Sequence, residues 1–191
     1  MTRQPGLMAT QTSIPDVLIL EPHVFRDERG HFLESFNEQV FESVTGIRRK
    51  FVQDNESRSV RNVLRGLHYQ TRRPQGKLVH VTAGEIFDVA VDLRKGSSTF
   101  GKWVGVTLSA QNFRQLWIPE GFAHGFMVTS DYADVLYKMT DYYDPQFEFA
   151  IAWDDADLGI AWPATEGLIL HARDAGAPRL RDVVIPFQVT P

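Results

Sequence analysis

The chain contains no cysteine, which removes disulfide frameworks, thiolate zinc sites and cysteine nucleophiles together and fits a reducing compartment. It has no apolar run of membrane-spanning length, and the stretch through Ile14 has neither the basic start nor the apolar core of a signal peptide. No membrane partner is expected, and cytoplasmic residence follows as the default. Positive charge is not in excess either. The formal net charge is -4, so there is no basic footprint for nucleic acid. Also missing are a glycine-rich loop between a strand and a helix and a Gly-x-Ser-x-Gly elbow, which sets aside nicotinamide chemistry and serine hydrolysis.

What remains is a chain of 191 residues with 43% hydrophobic and 23% charged residues, the balance of a soluble globular protein long enough to bury one real core. We read residues 1–191 as a single domain. Short runs of Val, Ile, Phe and Trp recur between Gly, Pro, Asn and Asp clusters, which predicts an all-β sandwich or barrel. Lys77 to Thr82 and Ile86 to Leu93 flank a tight hairpin at Ala83-Gly84-Glu85, with Phe87, Val89, Val91 and Leu93 on one face. Trp103 to Leu108, Leu116 to Pro119, Phe126 to Thr129, Ala133 to Thr140 and Phe149 to Trp153 continue the pattern. One short helix is predicted over Asn37 to Thr45, where Phe36, Val40, Phe41 and Val44 recur at helical spacing and Gly46 stops it. Residues 1–14 read as a flexible arm. The tail from Trp162 onward, essentially 163–191, reads as loop, turn and short helix packed on the barrel.

Four segments carry residues suited to chemistry. In Arg65-Gly66-Leu67-His68-Tyr69-Gln70, with Lys77 nine residues after the histidine, an imidazole that exchanges protons near neutral pH is accompanied by a cation able to stabilise an oxyanion. The residue types leave open a strand-end histidine bonded to a backbone carbonyl. Pro119-Glu120-Gly121-Phe122-Ala123-His124-Gly125 resembles the second cupin motif, Pro-x-Gly-x-x-His. In metal cupins that histidine joins a His-x-His pair and a carboxylate; here the first-motif region offers only His68 and His80, twelve residues apart. The resemblance implies a cupin-like jelly-roll β-barrel and leaves a metal without its usual ligand set. No metal or cofactor is expected, and His124 reads as a hydrogen-bonding pocket residue.

Tyr137 shares a strand face with Ala133, Val135 and Met139, which points its phenol inward; a core tyrosine bonded to the backbone fits the same pattern. The run Arg26 to Phe36 and the triplet Gln53-Asp54-Asn55 supply forked cations for phosphate and amides for a base edge or sugar hydroxyls. Tyr142 and Tyr143, followed by Glu148, offer rings that can stack on a base, and Asp174 beside Arg173 a carboxylate that can orient His68.

In order, Arg29-Gly30 with Phe32 and Glu34, Gln53-Asp54-Asn55, Arg65-Gly66-Leu67-His68, Lys77-Leu78-Val79, Phe87 to Arg94, Pro119 to Gly125 and Tyr137-Lys138 resemble the dTDP-4-dehydrorhamnose 3,5-epimerase family. The resemblance runs from about Ile19 to about Leu180. It implies a dTDP-4-keto-6-deoxy sugar substrate, whose C4 ketone acidifies the hydrogens at C3 and C5, and proton transfer without a cofactor. It further implies His68 as base, Lys77 at the enolate oxygen, Tyr137 as the opposing acid and Asp174 as the residue that orients His68. Arg29, Glu34, Gln53, Asn55, Arg65, His124, Glu148 and Arg173 match substrate-binding positions, and Tyr143 the ring that stacks on thymine. His171-Ala172-Arg173-Asp174 departs from the Ser-x-Lys-Asp form common in the family, with Arg keeping the charge and changing its shape. The family forms homodimers whose N-terminal segment reaches the partner's site, so Arg29 and Glu34 are expected to act in trans. Three other readings remain: a relative inverting C3 or C5 alone, a metal-dependent cupin, and a sugar-nucleotide-binding barrel without catalysis.

Overall fold

The computed structural model describes residues 6–189. Its strands fall into two main sheets. The first runs in the order β1 (Leu7–Gln11), β2 (Leu18–Pro22), β10 (Gln115–Ile118), β7 (Lys77–Ala83), β12 (Tyr132–Met139) and β5 (Gln53–Val60). The second runs β13 (Glu148–Ala150), β6 (Val63–Gln70), β11 (Phe122–Val128), β8 (Glu85–Asp92) and β9 (Trp103–Ser109), with β14 (Ile169–Leu170) added parallel to β6. A separate hairpin pairs β3 (Val24–Asp27) with β4 (Gly30–Leu33). Inward side chains of both sheets, among them Val79, Leu116 and Val135 from one and Ile86, Val106 and Phe126 from the other, fill the space between them. This is the cupin-like jelly roll.

Both outer faces are also covered. On the first sheet, α1 (Glu38–Thr45) lays Phe41 against Leu20, Leu78 and Trp117. Its ends are set locally: the Asn37 side chain accepts from the Gln39 and Val40 amides, and Gly46 takes φ 73° and returns its N–H to Glu42. Truncating a buried aromatic such as Phe41 costs about 3–5 kcal/mol. On the second sheet, Leu158, Trp162 and Ile185 cover Val89, Val91 and Leu93. The apolar face predicted for β8 therefore meets the C-terminal segment, while Ile86 and Ala90 face the barrel interior. That segment carries α2 (Ala172–Ala175) and a 3-10 turn, Leu180–Asp182.

Three expectations shift. The arm read as flexible over 1–14 is strand from Leu7 to Gln11, because β2 offers an open edge with which it forms five register pairs; residues 1–5 lie outside the described residues. The strand predicted from Phe126 begins at Phe122. Strand β5 had no apolar signature, because the side chains it turns inward are Gln53, Asn55, Ser57 and Ser59, and β6 has apolar residues whose alternation breaks midway.

Strand β6 also contains the irregularity that shapes the site. His124 pairs with His68 but Phe126 pairs with Arg65, so β6 carries one extra residue there, a bulge. Leu64, Leu67 and Tyr69 consequently face the C-terminal segment, and Arg65 and His68, three apart, both face the cleft. Gly66 makes this close approach feasible: at φ 125° a Cβ would sit 2.5 Å from the Gly125 Cα.

Candidate active site

An open cleft of about 550 Å³ lies between the sheets. Strand β6 turns Arg65 and His68 into it and β11 turns His124, while β5, β7 and β12 supply Gln53, Asn55, Lys77 and Tyr137 from the opposite wall. Tyr143 and Glu148 stand at its edge.

His68 Nε2 lies 2.7 Å from Asp174 Oδ1, and the Gly66 amide donates to Asp174 Oδ2 at 3.2 Å. Asp174, on α2, is only 3% exposed. Burial pushes its carboxyl up, but the hydrogen bond and charge of His68 and the Gly66 N–H outweigh that and hold it below the usual carboxylate range. An ionised Asp174 accepts from Nε2–H and fixes that tautomer, which leaves His68 Nδ1 to take a proton.

A second histidine–carboxylate pair lies deeper. His124 Nε2 is 2.7 Å from Asp88 Oδ1, and Asp88 is 0% exposed with Oδ2 lacking a hydrogen-bond partner among the described residues. Burial pushes the His124 imidazole down, opposed by Asp88 and reinforced by the charges of Lys77 and His68. Lys77 is likewise lowered by burial, to about 8, with Glu148 and Asp88 opposing the fall. Tyr137 is raised by burial and by Glu148 and lowered by Arg65; the net rise keeps the phenol protonated at neutral pH, in the form needed to donate.

At the mouth, Arg173 donates to Glu148 Oε2 and, at 2.6 Å, to the Glu148 carbonyl; the Tyr143 hydroxyl donates to Glu148 Oε2 at 3.0 Å. Gln53 donates to Asn55 at 2.9 Å, and Arg65 Nε donates to Ser59 Oγ at 3.0 Å.

Of the residues singled out in the sequence, Arg29 and Glu34 do not meet this cleft within the chain. Arg29 forks onto Asp27 in the β3–β4 hairpin, and Glu34 borders a small recess near Phe41. The hairpin stands outside both sheets and leaves Phe25 and Phe32 58% and 69% exposed. His80 lies on the opposite face of β7 from Lys77, so it does not share a site with His68. Among the described residues, no group of three His, Cys, Asp or Glu side chains is arranged to hold a metal ion. Sequence reasoning gave no role to Asp88 or Ser59. The signal for Asp88 was a carboxylate between Ile86 and Ala90 at an inward position of β8.

A cupin-like jelly-roll barrel whose open end gathers proton donors and acceptors from both walls can move protons on a ligand held between them. The family model described as dTDP-4-dehydrorhamnose 3,5-epimerase matches residues 11–182. A dTDP-4-dehydrorhamnose 3,5-epimerase of Salmonella typhimurium is 58% identical over 180 residues, covering 94% of this chain and 98% of the relative. One from Pseudomonas aeruginosa is 58% identical over 168 residues, 88% of this chain and 93% of the relative. A crystal structure of dTDP-6-deoxy-D-glucose-3,5-epimerase from Legionella pneumophila, in complex with dTDP-4-keto-L-rhamnose, superposes with a TM-score of 0.95 at 51% identity over 97% of this chain and 100% of that one. The chain belongs to the dTDP-4-dehydrorhamnose 3,5-epimerase family.

Proposed function

We propose that the chain inverts C3 and C5 of dTDP-4-dehydro-6-deoxy-D-glucose to give dTDP-4-dehydro-L-rhamnose, with His68 as base and Tyr137 as acid. One observation carries the reading: His68 stands on the second sheet and Tyr137 on the first, and both face one cleft. A sugar ring lying between them loses a proton to one wall and regains one from the other, and that exchange of faces is inversion.

The C4 ketone delocalises the carbanion left at C3 or C5 onto oxygen, so the intermediate is an enolate. Lys77, cationic below about pH 8, stabilises that oxygen in a partly desolvated site where a charge counts for more than in water. Asp174 keeps Nδ1 of His68 free to accept the proton and stabilises the imidazolium that forms. Each inversion leaves His68 protonated and Tyr137 as phenolate; water takes the proton from the one and returns a proton to the other, and the same cycle run at the second carbon then gives the double epimer.

Arg65, His124, Glu148 and Arg173 hold the sugar and diphosphate, Gln53 and Asn55 read polar edges, and Tyr143 stacks on the base. Arg29 and Glu34 serve the partner's cleft in a homodimer; the exposed Phe25 and Phe32 rings beside them support that reading, since contiguous exposed apolar surface marks an interface. The protein is read as cytoplasmic, and among the described residues no helix is long and apolar enough to cross a membrane.

Proton exchange tests the assignment. In heavy water, the wild type is expected to introduce deuterium at C3 and C5 of the 4-keto sugar, His68→Ala at neither, and Tyr137→Phe to slow inversion more than exchange. Label at a single carbon refutes double epimerisation, and exchange by His68→Ala at the wild-type rate refutes the base.

A further inference from the structure

Gln70 ends β6 beside the cleft, is 5% exposed, and spends its amide on two loops. Its Nε2 donates to the Arg73 carbonyl at 2.7 Å and to the Tyr142 carbonyl at 3.1 Å, and its Oε1 accepts from the Asp144 amide at 2.9 Å. From the other sheet, Gln53 Oε1 accepts from the Tyr143 amide at 2.9 Å. The Tyr142 carbonyl and the Tyr143 N–H belong to one peptide group. That group is therefore held at both ends, by a glutamine from β5 and a glutamine from β6. The Gln75 amide adds a bond to the Asp141 carbonyl at 2.8 Å, and the Tyr143 hydroxyl is tied to Glu148 at 3.0 Å.

A loop aromatic 49% exposed to solvent normally keeps freedom that binding must remove. Here the backbone on both sides of Tyr143 and the far end of its ring are held by the protein's own hydrogen bonds. A side chain serving only its own strand has no need to reach both residues flanking Tyr143.

We propose that Gln70 is a positioning residue for nucleobase recognition: by holding the Tyr142–Tyr143 peptide it presents the Tyr143 ring ready to stack, and so sets affinity for the nucleoside end of the substrate but not for its diphosphate. The inference rests on the base-stacking reading of Tyr143. Gln70→Met keeps the length of the side chain and removes every bond of the amide, which frees the loop and returns the ordering cost to binding.

Calorimetric titration of the wild type, Gln70→Met and Tyr143→Ala with dTDP and with inorganic pyrophosphate tests it. Tyr143→Ala is expected to weaken dTDP about tenfold to a hundredfold, the range of base–aromatic stacking. Gln70→Met is expected to weaken dTDP about tenfold and to leave pyrophosphate within about twofold. Equal losses for both ligands would mean that Gln70 supports the whole cleft, and would overturn the proposal. Unchanged dTDP affinity in Gln70→Met alongside a loss in Tyr143→Ala overturns it while stacking stands. Unchanged affinity in Tyr143→Ala removes the stacking reading and the proposal with it. Where Gln70→Met fails to fold, hydrogen exchange on the ligand-free wild type serves instead: the Tyr143 and Asp144 amides are expected to be protected, and exchange at free-peptide rates refutes the clamp.

Discussion

Replacing Asp174 by asparagine exposes the logic of the His68 pair, because two N–H groups point at one carboxylate. His68 Nε2 sits 2.7 Å from Oδ1, and the Gly66 amide donates to Oδ2 at 3.2 Å. An asparagine has one oxygen for these two donors. If the oxygen serves His68, the new NH₂ faces the Gly66 N–H, and a buried donor is left without an acceptor. If it serves Gly66, the NH₂ faces His68 and drives the imidazole to the tautomer whose Nδ1 already carries hydrogen. The first case loses a charge-assisted bond of about 1.5–3 kcal/mol, which corresponds to a fall of about 10- to 150-fold in kcat if it is expressed wholly in the transition state. In the second, the base itself is missing, and a fall of about 10⁴-fold is the scale seen when a histidine–carboxylate pair is set in the wrong tautomer. Asp174 lies behind His68 and is buried, so its carboxylate is not offered to a ligand in the cleft and KM is expected to stay within about threefold. NMR detection of deuterium entering C3 and C5, with kcat and KM for the same variant, gives both numbers. A kcat within threefold of wild type, or a loss confined to KM, would refute the positioning role.

Two further outcomes follow from the charges. Lys77 falls to about 8 on folding from about 10.4 in the unfolded chain, so between those values the unfolded state holds a proton that the folded state has released, and stability contributed at this site rises with pH. The stability difference between wild type and Lys77→Met is therefore expected to move in favour of wild type by on the order of 2 kcal/mol across that window, and wild-type kcat/KM to fall as pH rises through about 8. Parallel denaturation curves from pH 8 to pH 10.4 would exclude the depressed lysine. For the partner's role, co-expression of Arg29→Ala with His68→Ala is expected to restore about a quarter of wild-type activity, because half of the random dimers are mixed and each mixed dimer contains one intact cleft; no gain over the separate variants rules out action in trans.

Strand β8 and helix α1 were legible in the sequence because burial dominates their local pattern. Strand β8 sets Ile86 and Ala90 on one face and Val89 and Val91 on the other, and α1 brings Asn37, Phe41 and Gly46 at cap, core and stop positions. Strand β5 was not. Its residues alternate as a strand should, but the inward set is Gln53, Asn55, Ser57 and Ser59, so a hydrophobicity pattern reads it as a polar loop. The C-terminal segment hid a similar partner: Asp174 reaches His68 from 106 residues away in the chain, so residue type could suggest the pairing and no local pattern could fix it. Arg29 and Glu34 lie outside the cleft of their own chain, and the family resemblance had assigned their action to a partner's.

The bulge in β6 explains why periodicity failed closest to the chemistry. In a regular strand, residues three apart point to opposite faces, so Arg65 and His68 would not share a cleft and a strict alternation pattern would have assigned one of them to the exterior. The extra residue at Gly66–Leu67 reverses the phase midway: Leu64 and Leu67 stay on the apolar side with Tyr69, while Arg65 and His68 stay on the polar side. Gly66 serves this arrangement twice, since its φ of 125° leaves no room for a side chain against Gly125 and its amide donates to Asp174. The residue that breaks the strand's period is thus the one that helps hold the base's partner. A local departure from the folding pattern and the placement of the proposed base have the same physical cause.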